Sequence, residues 1–313
     1  MEGSHFNADE LAAQALAGGG PRGSGIRESM HVQYRHLLSQ LPYLFVGAMD
    51  SAGWPLASLL MGQPGFIQSP DALTLQIAAL PGPGDPAAQA LVAGRDIGLL
   101  GIDLSTRGRI RVNGKIVDRD AAGIRVAVAQ SFGNCPQYIQ RRTIAENQIG
   151  KSKPPATTAQ AFDHLDGAAR AAIAAADTFF VASHSRARDG AAYGADISHR
   201  GGRPGFVRID GDRGGEILTI PDFPGNRYFN TLGNLLVEPR ASLLFVDFES
   251  GDLLQLQGSA EVDWNAAAAQ RFPGAERLWR FHVVRGWRRE AALALRWSFS
   301  NYAPTTLQTG QWS

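Results

Sequence analysis

Apolar residues come in short runs bounded by glycine, proline and aspartate, the punctuation of β-strands joined by turns. In the first half these runs predict strands near Tyr43 to Met49, Trp54 to Leu60, Leu73 to Ile77, Ile97 to Leu104, Arg109 to Val117 and Arg125 to Gln130. In the second half they fall near Thr178 to Ser183, Tyr193 to Ser198, Phe206 to Ile209, Ile217 to Pro221, Ala241 to Phe248, Leu253 to Val262 and Trp279 to Arg285. Leu254-Gln255-Leu256-Gln257 alternates strictly, one face apolar and the other polar. Glu28 to Ser39 and Thr158 to Ala176 read as helices, one ahead of each strand set. The pattern is that of small β-barrels, each with a helical interruption between its fourth and fifth strands.

The halves also repeat one another, which points to one structural unit written twice. Ala57-Ser58-Leu59-Leu60, Pro64-Gly65-Phe66-Ile67 and Leu73-Thr74-Leu75 are echoed by Ala195-Asp196-Ile197-Ser198, Pro204-Gly205-Phe206-Val207 and Leu218-Thr219-Ile220. The interval from Asp103 to Gly114 equals that from Asp247 to Gly258. The expected fold is mainly β with flanking helices (α+β), as two tandem barrels forming a pseudo-dimer. Residues 1–25 are expected to be a mobile tail, 26–150 the first barrel, 151–160 a linker around Lys151-Ser152-Lys153-Pro154-Pro155, and 161–313 the second barrel.

Composition narrows the function. A chain of 313 residues with 44% hydrophobic content suits two packed cores. A net charge of +1 gives no nucleic-acid footprint. Lysine occurs only at Lys115, Lys151 and Lys153, so the basic residues are nearly all arginine. Arginine suits bidentate capture of phosphate or carboxylate, and equally reflects compositional bias. The single cysteine, Cys135, excludes an intrachain disulfide and a cysteine-based metal cluster, and a reducing, cytoplasmic setting is expected. Met1 to Gly25 lack the pattern of a signal peptide, and no apolar run is long enough to span a membrane.

The densest donor chemistry lies in Gly225-Asn226-Arg227-Tyr228-Phe229-Asn230. Gly225 admits close backbone approach, Asn226 and Asn230 carry amide donors, and Arg227 carries a planar fork of charged ones. If Gly225 or Asn226 opens a helix, its free N–H groups face the same spot, which suits a phosphate monoester. The residues also suit a polar turn with Arg227 in water. Ser198-His199-Arg200-Gly201-Gly202-Arg203 adds a hydroxyl and more guanidinium groups, for binding more than for nucleophilic chemistry, since no carboxylate is placed to orient His199. Asn134-Cys135-Pro136 reads as a helix start with Asn134 as N-cap. Cys135 has no histidine or lysine nearby in sequence and reads as inert. The first half has Pro83-Gly84-Asp85-Pro86-Ala87 where the second has its Asn-Arg motif, so one composite site per chain is expected. No metal is expected, because the histidines show no ligand spacing.

Three blocks carry a resemblance: Ser131 to Gln140, Arg200 to Val207, and Ile220 to Leu235. Together they closely resemble the predicted flavin-nucleotide-binding proteins related to pyridoxamine 5′-phosphate oxidase, over about residues 30 to 265. The resemblance implies FMN-binding split barrels with the flavin in a groove between two barrels. It implies that Ser198 and Arg200 approach the phosphate and ribityl chain. Ile220, Pro221 and Asp222 would run beside the ring, and Asn226, Arg227 and Asn230 would hold the phosphate. From the first half, Asn134, Cys135, Tyr138 and Gln140 would approach the flavin edge. The implied activity is an FMN-dependent oxidoreductase passing hydride or electrons to oxygen or another acceptor, with a small-molecule substrate or electron donor such as NADH or NADPH. A homodimer is left open. Arg285-Gly286-Trp287-Arg288 only loosely echoes the oxidases' substrate-phosphate motif, which counts against vitamin B6 oxidation. The alternatives are a non-catalytic flavin-binding or sensing module, and a barrel binding haem or a deazaflavin.

Overall fold

Both halves build a seven-strand antiparallel path with the same strand order in the computed structural model, which describes residues 6–21, 25–144, 158–185, 194–212 and 215–312. The first comprises β1 (Tyr43–Met49), β2 (Pro55–Met61), β3 (Ile67–Asp71), β4 (Thr74–Ile77), β5 (Asp96–Asp103), β6 (Gly108–Arg119) and β7 (Ile124–Gly133), ordered β2-β1-β5-β6-β7-β4-β3. A short sheet strand β8 (Arg141–Ile144) follows, and then β9 (Gln160–Phe162). The second path uses β10 (Thr178–His184), β11 (Ala195–Gly201), β12 (Arg208–Asp212), β13 (Gly215–Asp222), β14 (Arg240–Val246), β15 (Leu253–Asp263) and β16 (Arg277–Arg289), ordered β11-β10-β14-β15-β16-β13-β12. The last strand, β17 (Trp297–Asn301), pairs with β8, so the chain's end folds back onto the first half. The fold is mainly β, two split barrels side by side.

Alternation explains how the barrels join. Leu44, Val46 and Ala48 of β1 point into the first core, whereas Tyr43 and Phe45 point outward into a third apolar cluster between the barrels. On β10, Phe179 and Val181 enter the second core while Phe180 and Ala182 enter the shared cluster. Strands buried on both faces read as unbroken apolar runs. Phe45 and Phe180 stack across the junction with ring centroids 3.6 Å apart. Each such buried ring contributes about 1.5–3 kcal/mol by leaving water. Gly47 and Gly98 allow a close approach: a Cβ at either would lie within 3 Å of the Asp196 backbone. That brings β11 and Asp196 hard against the first barrel.

Several expectations need correction. The N-terminal segment expected to be a mobile tail contains helix α1 (Ala8–Leu16), started by a capping box in which Asn7 Oδ1 accepts from the Glu10 backbone N–H and Glu10 Oε2 accepts from the Asn7 N–H. It escaped the apolar pattern because its buried face is Asp9, Glu10, Ala13 and Gln14, with Leu11 and Leu16 outside. The first predicted helix is α2 (Val32–Gln40). The second is shorter than read: Gln160–Phe162 pairs with β16, and α3 (Gly167–Ala175) starts only where Asp166 caps it by accepting from Ala169 N–H at 2.7 Å. Strand β3 was missed because it carries Pro70 and buries only Ile67, as an edge strand can. The interruption between the fourth and fifth strands is a 3-10 turn, Pro86–Gln89, in the first half and α4 (Asn230–Val237) in the second. The Lys151 to Pro155 linker lies outside the described residues.

Candidate functional site

A groove of about 130 Å³ runs between the halves. The second half supplies β11, the end of β13, the loop leading to α4 and the start of β16; the first supplies β6 and the loop after β7. Of the residues nominated from sequence, Asn134, Cys135, Tyr138, Ser198, Arg200, Pro221, Asp222, Asn226, Arg227 and Asn230 line it. Ile220 and Gln140 do not. Ile220 alternates inward with Leu218 and is wholly buried in the second core. Gln140 is wholly buried too, donating to Thr306 Oγ1 at 3.1 Å and accepting from the Ala303 N–H at 3.0 Å, so it pins the C-terminal segment.

The Asn-Arg segment is a loop, and the helix opens only at Asn230. Phe229 is its N-cap, in the left-handed region at φ 57°, with no side chain capping the first-turn N–H groups. Arg227 is also left-handed, at φ 56°. Asn226 therefore does not sit one helical turn before Asn230; its Nδ2 donates to Asn134 Oδ1 at 2.9 Å, tying this loop to the first half. Nor does a helix start at Asn134: residues 134–140 form a turn, with Tyr138 at φ 60° stacked on Phe223 at 5.1 Å. Burial, then the Asp222 charge, pushes the Tyr138 hydroxyl up to about 12, so it is a neutral donor.

Charge in the groove is dominated by arginine. Arg109, Arg111, Arg200, Arg227 and Arg277 line it against Asp222 and Glu276. Asp222 is buried and bridges Arg200, at 2.6 Å, and Arg277. Arg227 donates to Glu276 at 2.9 Å and to the Gly19 and Ala17 carbonyls at 3.4 and 3.5 Å, and its side chain is 39% exposed. Arg109 and Arg111 were not nominated, although Arg109-Ile110-Arg111-Val112-Asn113 alternates and so puts both guanidiniums on one strand face. The Nε atoms of Arg109, Arg111 and Arg200 are buried without a partner, as is His199 Nε2. Burial, then the charges of Arg109 and Arg200, holds His199 well below its usual range and therefore neutral. The Cys135 thiol is exposed in the groove, and Arg109 Nη2 donates to the Cys135 carbonyl.

Behind the groove wall lies a buried polar network. Arg111 donates to Asp196 at 2.5 Å and to Asn230 Oδ1 at 2.9 Å. Asn113 donates to the same Asp196 oxygen at 2.6 Å, and Asn234 to the other at 3.0 Å. The Asn230 amide donates to Glu10 of α1. Asn230, expected to hold a phosphate, is thus engaged on both sides by protein.

Strand registers locate the matching position in the other half. Ser58 faces Val46 as Ser198 faces Val181, and Leu253 and Gln255 on β15 stand where Arg109 and Arg111 stand on β6. There Asp85, wholly buried in its side chain, accepts from Ser58 at 2.5 Å, Arg289 at 2.5 Å and Gln255 at 3.2 Å. The chain supplies its own anion at that position.

Among the described residues, no group of three or more His, Cys, Asp or Glu is placed to hold a metal, and no helix is long and apolar enough to cross a membrane. No protein-family profile matches the chain, nor does any curated protein. Its backbone has a low similarity to HupZ of Group A Streptococcus (15% identity, 41% of this chain and 97% of that one, TM-score 0.32). The similarity is comparable to HutZ, a haem storage protein of Vibrio cholerae (14%, 41% and 95%, TM-score 0.26). A FAD-binding protein of Mesorhizobium loti gives 14% identity over 42% of this chain and 97% of that one, with a TM-score of 0.26. Scores this low assign neither a ligand nor an activity to the chain.

Proposed function

We propose that the groove binds the phosphate end of a flavin mononucleotide and that the protein is an FMN-dependent oxidoreductase. The observation that carries this is the cluster of five arginines lining the groove, with three buried Nε donors left unpartnered, beside an α4 N-terminus that no side chain caps. Unpaired buried donors are costly unless an acceptor meets them, and an anion meets several at once. Arg227, Arg200 and the first-turn N–H groups of α4 would hold the phosphate, with Ser198 beside the ribityl chain. Tyr138, Phe223, Pro221 and Cys135 offer the surface for a flat ring.

At about 130 Å³ the groove has room for the phosphate end and not for a whole flavin. Binding therefore moves side chains at its mouth. Arg227 is the one most easily moved, since it is part exposed and its bonds to Ala17 and Gly19 are long. When bound, the flavin would supply hydride or electron transfer, and the protein would orient it and set its electrostatic surroundings. The excess of guanidinium charge stabilises an anion.

A second reading, binding or sensing without turnover, is favoured by the lack of a poised base among the described lining residues. His199 is buried and neutral, Asp222 is locked between two arginines, and Glu276 is paired with Arg227 and Arg277. The experiment is an absorption spectrum of the purified protein, titration with FMN and with haem, and steady-state oxidation of NADH or NADPH. FMN uptake with turnover is expected. Uptake without turnover selects the second reading, a Soret band without FMN uptake selects haem, and neither cofactor binding overturns both flavin readings.

A further inference from the structure

We infer that helix α1 is part of the anion site, with Glu10 as a positioning residue that couples binding of a phosphate-bearing ligand to uptake of one proton. The inference rests on reading the groove as a phosphate site. Glu10 is 3% exposed and lies one residue behind the lining. Its Oε1 accepts from the amide of Asn230, whose Oδ1 accepts from Arg111 at 2.9 Å, and both Asn230 and Arg111 line the groove. Its Oε2 accepts from the Asn7 N–H at 2.8 Å. Gly233 on α4 makes this seat available: a Cβ there would lie 2.9 Å from the Glu10 backbone.

Among the described residues the charges around Glu10 do not balance. From β6 comes one cation, Arg111; from β11 comes a second carboxylate, Asp196, already bonded to Arg111, Asn113 and Asn234; α4 contributes only amides; and Asp9, next to Glu10 on α1, has interactions of its own and is left out of the count. Two buried carboxylates thus face one guanidinium, which favours a retained proton. Burial foremost, then the Asp196 charge, pushes the Glu10 carboxyl up to about 8. A ligand phosphate held by Arg200 and Arg227 beside Asn230 adds negative charge to the groove, so an ionised Glu10 opposes it and takes a proton from solvent as it binds. Affinity is then expected to fall as pH rises through the range in which Glu10 ionises.

The test titrates FMN and riboflavin at pH 7, 8 and 9 into the full chain and into Glu10→Gln. Both carry Cys135→Ser, which removes the exposed thiol from the groove. Glutamine keeps the capping box, so α1 retains its start. From pH 7 upward the FMN phosphate is mostly dianionic. We expect the FMN dissociation constant to rise about fivefold from pH 7 to 9 in the parent, the part of one unit of pKa coupling that this range reaches. Glu10→Gln should show little slope and riboflavin none, and calorimetry in two buffers at pH 8 should show proton uptake with FMN only in the parent. FMN binding with the same slope in Glu10→Gln, or riboflavin sharing it, would overturn the inference alone. FMN failing to bind at every pH would overturn the groove reading and this inference with it.

Discussion

At the residue scale, the groove separates arginines that are free to meet a ligand from those that hold the fold. Arg227 is part exposed and its partners are a part-exposed Glu276 and two carbonyls at the edge of hydrogen-bond range. Arg227→Ala should therefore weaken FMN binding about tenfold, leave riboflavin binding unchanged and change folding stability by no more than about 0.5 kcal/mol. A thermal melt beside the two titrations checks this; an unchanged FMN constant would put the phosphate elsewhere. Arg111 is the opposite case, its side chain 4% exposed and paired with Asp196. Arg111→Ala strands a buried carboxylate and should cost about 3–5 kcal/mol of stability. Glu10 gives a stability signature as well. Its carboxyl binds the proton more tightly in the folded chain, at about 8 against 4.5, so its contribution is full below 4.5 and is lost as pH rises through 8. Melts between pH 5 and 9 should show a decline that Glu10→Gln reduces. An equal decline in both proteins would mean that Glu10 ionises in the fold as it does in water.

At the element scale, the structure separates what alternation can reveal from what it cannot. Strands buried on both faces announce themselves, as β1 and β10 do, because each residue adds to one apolar core or another. Arg109 and Arg111 were as legible, since a period of two puts both on one face. They sit in mid-strand, away from the Gly-Asn and Gly-Gly motifs that stand out in the sequence, and that placement hid them. Helix α1 was not legible by apolar pattern, because what it buries is a polar network, completed by Asn230 and Arg111 far along the chain. Gln140 shows the converse: placed in a motif that looks like a site, it spends its bonds on the C-terminal segment and on the Tyr138 and Gly202 carbonyls. The docking of α1 is testable through Gly233. Gly233→Ala sets a methyl against Asp9 and Glu10 backbone atoms, which unlike a flexible side chain cannot swing aside. It should release α1, expose residues 6–19 to limited proteolysis and flatten the pH dependence of stability, with both barrels intact. Proteolysis no faster than in the parent would mean the helices shift together without parting.

At the scale of the whole molecule, a shared strand order does not make two equal sites. Two barrels meeting across Phe45 and Phe180 bring together one groove and, at the matching position, another set of residues. In that second place Gln255 replaces Arg111, and the buried Asp85 already accepts from Arg289, Ser58 and Gln255. A ligand phosphate there would have to displace a buried ion pair and then face an unpartnered carboxylate, at a cost of several kcal/mol. FMN should thus bind with one molecule per chain, and calorimetric stoichiometry near one with Arg227→Ala removing most of the affinity checks it. Asp85→Asn offers a sharper test, because it removes the internal anion while keeping the shape and one acceptor. It should destabilise the fold, since Arg289 loses its counter-charge in a buried setting, yet leave the stoichiometry at one, because Leu253 and Gln255 stand where the groove has Arg109 and Arg111. If Asp85→Asn instead bound a second FMN, the internal carboxylate alone would be what closes that side, and the two halves would differ by one charge in place of a rebuilt wall.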